Sequence, residues 1–204
     1  MKKIIITILV ALSVMSASFA QEAAENSSKG ASDTANIRIG GIFNYEACGG
    51  TLGNYISGNI GGGFTAEFDL GIPLPSFMEL GISGKILANG GLLKDDLLLS
   101  MMSIQVVPGF YCRLYLLNNN LIIQPEIGYG IQVNFLKDNP VYNNKIDKVY
   151  LDQLVEVSLG IRFAPQAFLD GNMEFGLTPF YILCPEQNEA VHYFGGRFGI
   201  YYQF

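Results

Sequence analysis

The 204-residue sequence predicts an all-β protein, a closed antiparallel eight-stranded up-and-down transmembrane β-barrel. Three observations lead to this fold class. Half of the residues are hydrophobic, yet after residue 20 no apolar run is long enough for a membrane-spanning helix. Apolar and polar residues instead alternate along eight segments of about ten residues, the length of a tilted strand crossing a bilayer. Glycine and aromatic residues are also plentiful, as in such barrels.

The start of the chain predicts export. Residues 1–20 contain two early lysines, an apolar run over 4–14 and small residues before the end. This is the pattern of a cleavable signal peptide, because the apolar run is shorter than the roughly 20 residues of a spanning helix. Residues 21–36 lack a periodic apolar face and predict a flexible periplasmic leader. The barrel itself is predicted to occupy 37–204 as one domain.

The first two segments, 37–47 and 59–70, set apolar residues on one parity and polar or very small residues on the other. Successive strand side chains point to opposite faces, so one parity is predicted to meet lipid and the other the barrel interior. The charged residues of these segments all fall on the polar parity: Arg38, Glu46, Glu67 and Asp69.

The third, fourth and fifth segments keep this pattern over 78–86, 102–114 and 123–133. Each proline in them, Pro108 and Pro125, removes a hydrogen-bond donor from the sheet, which predicts a local bulge or bend. The charged residues again share the polar parity: Glu79, Lys85, Arg113 and Glu126.

The last three segments cover 153–163, 173–181 and 194–204, and their polar parity carries Glu156, Arg162, Glu174 and Arg197. No charged residue falls on the apolar side of any of the eight segments. Because a Lys or Arg facing lipid at mid-bilayer costs roughly 2–4 kcal/mol, this absence favours a membrane barrel over a soluble β-sandwich.

With the N-terminus in the periplasm, the connections alternate between short turns and longer loops. The periplasmic turns are predicted around 73–76, 117–120 and 164–171. The outer loops are predicted around 49–57, 88–99, 134–149 and 184–192.

The last segment carries the most specific motif. Phe198, Ile200 and Tyr202 alternate before the terminal Phe204. This motif resembles the C-terminal strand by which bacterial outer-membrane proteins are recognised by their assembly machinery. The whole mature pattern resembles the small eight-stranded outer-membrane barrel group of Gram-negative bacteria. The resemblance implies an outer-membrane location, with membrane lipids and the barrel assembly machinery as partners, and says little about activity.

The polar parity predicts an interior with charges of both signs. These residues are Arg38, Glu46, Glu67, Asp69, Glu79, Lys85, Arg113, Glu126, Glu156, Arg162, Glu174 and Arg197. Charges in a narrow lumen must pair or meet water, so they form either the lining of a small pore or a salt-bridged plug. The plug is favoured, since an eight-stranded barrel is just wide enough for side chains to fill it.

No catalytic, metal or cofactor site is predicted. The one histidine, His192, has no serine beside it in sequence, which disfavours a lipid A-modifying barrel enzyme. Asp95 and Asp96 lie in Leu-rich surroundings that offer few of the six to eight oxygens calcium takes. Cys48 and Cys184 lie near the outer ends of the first and last hairpins, where a disulfide is feasible in an oxidising compartment.

We expect a small integral outer-membrane barrel with a structural or narrow small-solute permeation role and no chemistry of its own. The alternatives are a surface-exposed binding or adhesion barrel, the barrel enzyme above, and a soluble lipocalin-like barrel with its apolar face inward. The net charge of −6 argues against nucleic acid as a partner. A small solute or surface ligand stays open.

Overall fold

A computed structural model of the chain describes residues 36–50, 56–93, 100–117, 119–137, 148–165, 172–185 and 190–204. The predicted signal peptide, most of the predicted leader, and Asp95 and Asp96 lie outside the described residues. So do the central parts of the predicted outer loops and most of the last periplasmic turn.

Eight strands make up the barrel. They are β1 (Ile37–Gly49), β2 (Ile56–Asp69), β3 (Met78–Leu93), β4 (Ser100–Leu116), β5 (Leu121–Lys137), β6 (Lys148–Phe163), β7 (Met173–Cys184) and β8 (Val191–Gln203). Each strand pairs antiparallel with its neighbours in sequence, and β1 pairs with β8 to close the sheet. The predicted fold class is therefore confirmed. Among the described residues, no helix is long and apolar enough to cross a membrane.

Several strands continue further than the sequence predicted, into positions assigned to outer loops. The longest of these extensions cover 88–93 and 134–137, and shorter ones include 148–149. In β3, for example, Ala88 and Gly90 pair with Gly62 and Ile60 of β2. Beyond the lipid belt an outward side chain need not be apolar, so the alternation fades while the backbone hydrogen bonds continue.

The two faces of the sheet differ as predicted. Large apolar side chains cover the outside, where Phe64 is 71% exposed and Phe110 66% exposed. No charged side chain that the structure describes within the strands is exposed. So large an exposed apolar belt suits lipid and would be a liability in water.

No bulge occurs at Pro108 or Pro125, so of the bulge or bend expected there the bulge was wrong. The β4–β5 pairs continue in one register past both prolines, at Val106–Ile131, Gly109–Gly128 and Leu114–Ile123. Pairs are missing only beside the prolines, because proline has no N–H to donate. A missing bond opens the ladder locally without inserting a residue.

The barrel has two distinct ends. Asn36 and Phe204 lie at the same end as the β2–β3, β4–β5 and β6–β7 connections, and the Asn36 carbonyl accepts from the Asp69 N–H at 3.1 Å. We call this the terminal end and the opposite one the loop end.

Candidate functional site: the barrel interior

The polar faces of the eight strands converge in the barrel interior. Eleven of the twelve residues predicted for the lumen have buried side chains there: Arg38, Glu46, Glu67, Glu79, Lys85, Arg113, Glu126, Glu156, Arg162, Glu174 and Arg197. The twelfth, Asp69, lies at the terminal rim, where its Oδ1 accepts from the Gly71 N–H at 2.9 Å. The buried residues fall into separate clusters along the barrel.

The cluster nearest the terminal end, called the terminal cluster, consists of Arg38, Arg113, Arg162, Glu67, Glu79 and Glu174. The Arg38 guanidinium binds Glu79 through two parallel hydrogen bonds, of 2.6 and 2.8 Å. The hydroxyls of Tyr111 and Tyr115 donate to the same carboxylate at 3.0 and 2.6 Å. Glu79 therefore has its lone pairs satisfied although it is buried, as a paired interior charge requires.

The other two arginines of the terminal cluster are shared between two carboxylates. Arg162 Nη1 lies 3.0 Å from Glu67 Oε2 and 3.4 Å from Glu174 Oε2. Arg113 also binds Glu174, and its Nη1 lies 3.6 Å from Glu67 Oε2. The Tyr201 ring covers the Arg162 guanidinium at 3.7 Å, a cation–π contact.

A second group, the middle cluster, contains Lys85, Glu126, Glu156 and Arg197. Lys85 Nζ lies 2.8 Å from Glu126 and 2.5 Å from Glu156. Arg197 donates to both oxygens of Glu156, at 2.6 and 2.7 Å, and its guanidinium lies 4.0 Å from the Phe180 ring centre. The middle cluster thus links β3, β5, β6 and β8 across the lumen.

The third group, the amide cluster, surrounds Glu46 with the carboxamides of Asn44, Asn59, Asn89 and Gln105. Asn44, Asn59 and Gln105 donate to the carboxylate at 2.8, 3.0 and 3.0 Å. Glu46 is 0% exposed and forms no ion pair with any residue that the structure describes. Its environment differs in this respect from both charged clusters.

Apolar side chains also fill part of the interior, which the sequence interpretation missed. This apolar cluster consists of Val107, Leu154, Phe180, Ile182, Cys184 and Tyr193. The Tyr193 hydroxyl accepts a hydrogen bond of 3.2 Å from Gln132 Nε2. A signal was present, because both parities are apolar at 106–107 and over 180–183, so at these positions an apolar residue must point inward.

Aromatic rings occupy the space beside several interior glycines. A Cβ added at Gly81 would lie 2.1 Å from the Tyr111 ring, and one at Gly40 would lie 2.5 Å from the Tyr201 ring. At Gly195 an added Cβ would lie 2.9 Å from the Phe180 ring. These glycines therefore allow rings to pack against the barrel wall.

Cavities lie along the lumen formed by the described strands. At the terminal end a cavity of about 460 Å³, the terminal cavity, is lined by Asn36, Asp69, Glu79, Tyr115, Glu174 and Gln203 among others. Further in, residues of the two charged clusters line a space of about 10 Å³ that also contacts Thr65 and Gln124. That volume is roughly the room for one water molecule.

The positions of Cys48 and Cys184 argue against the disulfide that the sequence left possible. Cys48 is on β1 and Cys184 on β7, with β8 between them, and they pair with Tyr193 and Val191 respectively. Two strand spacings alone separate the Cα atoms by roughly 9 Å. A disulfide requires Cα atoms within roughly 7 Å.

The remaining predicted residues lie on the outside. His192 Nδ1 is hydrogen-bonded to the Tyr181 hydroxyl at the loop end. Within the described ranges, no group of three or more His, Cys, Asp or Glu residues is placed to hold a metal ion. The residues of the C-terminal motif are all exposed: Phe198, Ile200, Tyr202 and Phe204.

No protein-family model matches the sequence. No curated protein matches it either. Solved structures do resemble it. One of them is Ail, the attachment invasion locus protein of Yersinia pestis, solved in complex with the heparin analogue sucrose octasulfate. It has 11% identity and a TM-score of 0.54, and the match covers 83% of this chain and 99% of Ail. Neisserial surface protein A has 9% identity and a TM-score of 0.51, over 86% of this chain and all of the other.

A third structure, the outer membrane enzyme PagL, has 10% identity and a TM-score of 0.47, over 79% of this chain and 97% of PagL. At these identities the matches to Ail and to Neisserial surface protein A show the fold alone, and the PagL match carries no argument. The chain thus folds as a small eight-stranded outer-membrane barrel, and the predicted resemblance to that group is confirmed. Because one fold hosts many functions, activity must be argued from the interior itself.

Proposed function

We propose that the protein is an integral outer-membrane barrel with a structural role, a lumen closed by its own side chains and no chemistry of its own. The observation that carries this proposal is the succession of side-chain clusters that fill the interior along the barrel. Two of them are networks of buried ion pairs, one is a carboxylate held by amides, and one is apolar.

The energetics of the ion pairs support closure. A hydrated ion or a solute that passed through the lumen would have to separate at least one buried pair in each charged cluster. Removing one partner of a buried ion pair costs about 3–5 kcal/mol, which sets the scale of the penalty for leaving such a charge without its partner. Two such networks in series along the lumen favour a closed interior.

The terminal cavity is the feature that most resembles a permeation path. It is large enough to admit small polar solutes from the terminal end, and Asn36, Asp69 and Gln203 give it polar walls. Its inner wall is formed by Glu79 and Glu174, which are already bound to arginines of the terminal cluster. The cavity therefore ends at the ion-pair network.

Planar-bilayer recording tests this proposal directly. We expect the purified mature protein to give no reproducible conductance steps at moderate voltage. Insertion is checked independently, by the gel-mobility difference between heated and unheated samples. Reproducible steps from verified, inserted protein would refute closure and favour the narrow-permeation role.

Two other roles have less support. Ail was solved with a sulfated ligand, whereas the present chain carries a net charge of −6, which disfavours polyanions. Adhesion would use the outer loops, and the longest of those predicted from the sequence, 134–149, is modest in length. For an enzyme of lipid A, the lipid A of cells making the protein would change mass. We expect an unchanged mass spectrum.

A further inference from the structure

The terminal cavity has the size of a ligand site. Its volume of about 460 Å³ lies within the roughly 300–1,000 Å³ typical of pockets that hold small molecules. One residue on or next to each of the eight strands lines it. These residues are Asn36, Asp69, Glu79, Tyr115, Ile122, Ala164, Glu174 and Gln203. The barrel wall therefore surrounds the cavity on all sides, and a ligand enters from the terminal end.

The charges that face this cavity are mostly neutralised. Glu79 is bound by Arg38, and Glu174 lies within ion-pair distance of three arginines. Asp69 is the exception, because it forms no ion pair with any residue that the structure describes. No Lys, Arg or His is among the described residues that line the cavity. The lining therefore repels anions, and it offers a cation only one uncompensated carboxylate.

The polar side chains at the wall of the cavity have hydrogen-bonding capacity to spare. Gln203 Oε1 accepts a hydrogen bond of 3.2 Å from Arg38 Nε, while the Gln203 amide N–H groups have no partner within the described ranges. Asp69 Oδ1 accepts from the Gly71 N–H, and Asp69 Oδ2 has no described partner. Donors from Gln203 and an acceptor from Asp69 thus line the same space.

Asparagines add further amides at the rim of the cavity. The backbone carbonyls of Asn36, Asn120 and Asn172 accept from N–H groups at or next to strand ends, at 3.1, 3.1 and 2.8 Å. Their side-chain amides have no hydrogen-bond partner among the described residues. Each amide offers two donors and one acceptor. The rim therefore suits a ligand whose groups both donate and accept hydrogen bonds.

Apolar side chains line the rest of the cavity. Ile122 and Ala164 are buried beside it, and Ile72 and Met78 add apolar surface at the β2–β3 connection. An apolar ligand would leave the amides without partners, and a ligand that is polar on every side would leave this surface uncovered. A pyranose ring meets both requirements, because its hydroxyls donate and accept while its C–H face is apolar.

We propose that the terminal cavity binds an uncharged pyranose sugar. Its hydroxyls bind Asp69, Gln203 and the rim asparagines, and its C–H face lies against Ile122 and Ala164. Phosphorylated and sulfated sugars are excluded, since no described cation lines the cavity. A free sugar and the terminal unit of a longer glycan share this chemistry. Binding requires no passage through the ion-pair networks, so it is compatible with a closed lumen.

Saturation-transfer NMR on the refolded mature protein, in a detergent without a sugar headgroup, tests the proposal. The probes are glucose, galactose, mannose and N-acetylglucosamine, with mannitol as an acyclic polyol and glucose 6-phosphate as an anionic sugar. Transfer is expected to the ring C–H protons of at least one pyranose, and not to mannitol or glucose 6-phosphate. A tetrasaccharide of the bound sugar separates the two sources. Transfer to its terminal unit indicates a glycan end, and loss of transfer indicates a free sugar. No transfer to any of the four pyranoses, or equal transfer to mannitol, would overturn the proposal.

Substitutions locate the bound sugar. Ala164→Phe fills the apolar side of the cavity without removing an ion-pair residue and is expected to abolish the transfer. The matched Ala66→Phe, on the lipid-facing side of β2, is expected to leave it unchanged. Asp69→Ala removes one hydrogen bond to a charged group, so the dissociation constant should rise about tenfold or more. Transfer retained in Ala164→Phe, or an unchanged dissociation constant in Asp69→Ala, would contradict the proposal. The wild-type measurement decides it even where a variant fails to fold.

Discussion

Replacement of Glu156 by Gln gives the most direct measure of how dry the barrel interior is. Glu156 is 0% exposed and accepts three charge-assisted hydrogen bonds, two from Arg197 and one from Lys85. Lys85 keeps Glu126 in the variant, whereas Arg197 loses its ion pair and keeps only neutral partners: the amide oxygen of the introduced Gln, the Asn44 Oδ1 contact at 3.1 Å and the Phe180 ring. Gln has nearly the shape of Glu, so the loss is one of charge and leaves no cavity.

The cost follows from the burial of Arg197. A buried cation that loses its carboxylate destabilises a fold by about 3–5 kcal/mol. This corresponds to a rise of roughly 100- to 5,000-fold in the unfolding equilibrium constant. The measurement is urea unfolding of the refolded protein in detergent, followed by far-UV circular dichroism and by the gel-mobility shift, since the chain has no tryptophan.

Two companion variants make the result interpretable. Asp69→Asn, at the partly exposed rim, is expected to change stability by less than about 0.5 kcal/mol. The double variant Glu156→Gln, Arg197→Leu removes both charges and should recover part of the loss, as buried pairs replaced together usually do. If Glu156→Gln alone costs less than about 1 kcal/mol, water must solvate Arg197 in place of its partner. The closed interior would then be wrong.

Three further outcomes are expected. Leu154→Ala, in the apolar cluster, should lower the free energy of unfolding by about 2–5 kcal/mol in the same urea assay. The lipid-facing Leu159→Ala should lower it by less. Equal losses would mean that Leu154 is not packed. Phe204 is 72% exposed, so its deletion should lower the amount of folded barrel in cells but hardly alter the urea midpoint of the refolded protein. A matching fall in both quantities would show that Phe204 contributes to stability and not only to assembly. The protein should show the same gel mobility with and without reductant, because the register keeps Cys48 and Cys184 too far apart to form a disulfide. A faster non-reduced band that disappears in a Cys184→Ser variant would contradict this argument.

The strands and their faces were predictable because a period of two is a local property. In β2, for instance, the neighbouring Glu67 and Phe68 point to opposite sides whatever the rest of the chain does. The membrane strengthens this signal, since lipid excludes charge from one side. Where the membrane ends, the signal ends too, which is why the ladder beyond Ala88 was missed.

The pairing of the interior charges was not predictable in the same way. Arg38 binds Glu79, 41 residues away, and Arg162 binds Glu67, 95 residues away. The sequence places each of these residues on the inner face. Which ones meet depends on strand register and on the stagger of the closed sheet, and both are properties of the whole barrel. That the fully buried Glu46 is held by amides and forms no ion pair with a described residue became visible only after these pairs were assigned.

The interior glycines bear on the choice between a pore and a plug. From sequence alone, a glycine on the inner face could widen the lumen or make room for something else. In the structure, rings lie against the wall at these positions, with Tyr111 over Gly81, Tyr201 over Gly40 and Phe180 over Gly195. Tyr201 and Phe180 in turn lie against Arg162 and Arg197. Each ring occupies the volume that a larger residue would take in place of the glycine, and so it fills part of the lumen. The rings that also cover a guanidinium shield its ion pair from water. These glycines therefore support closure.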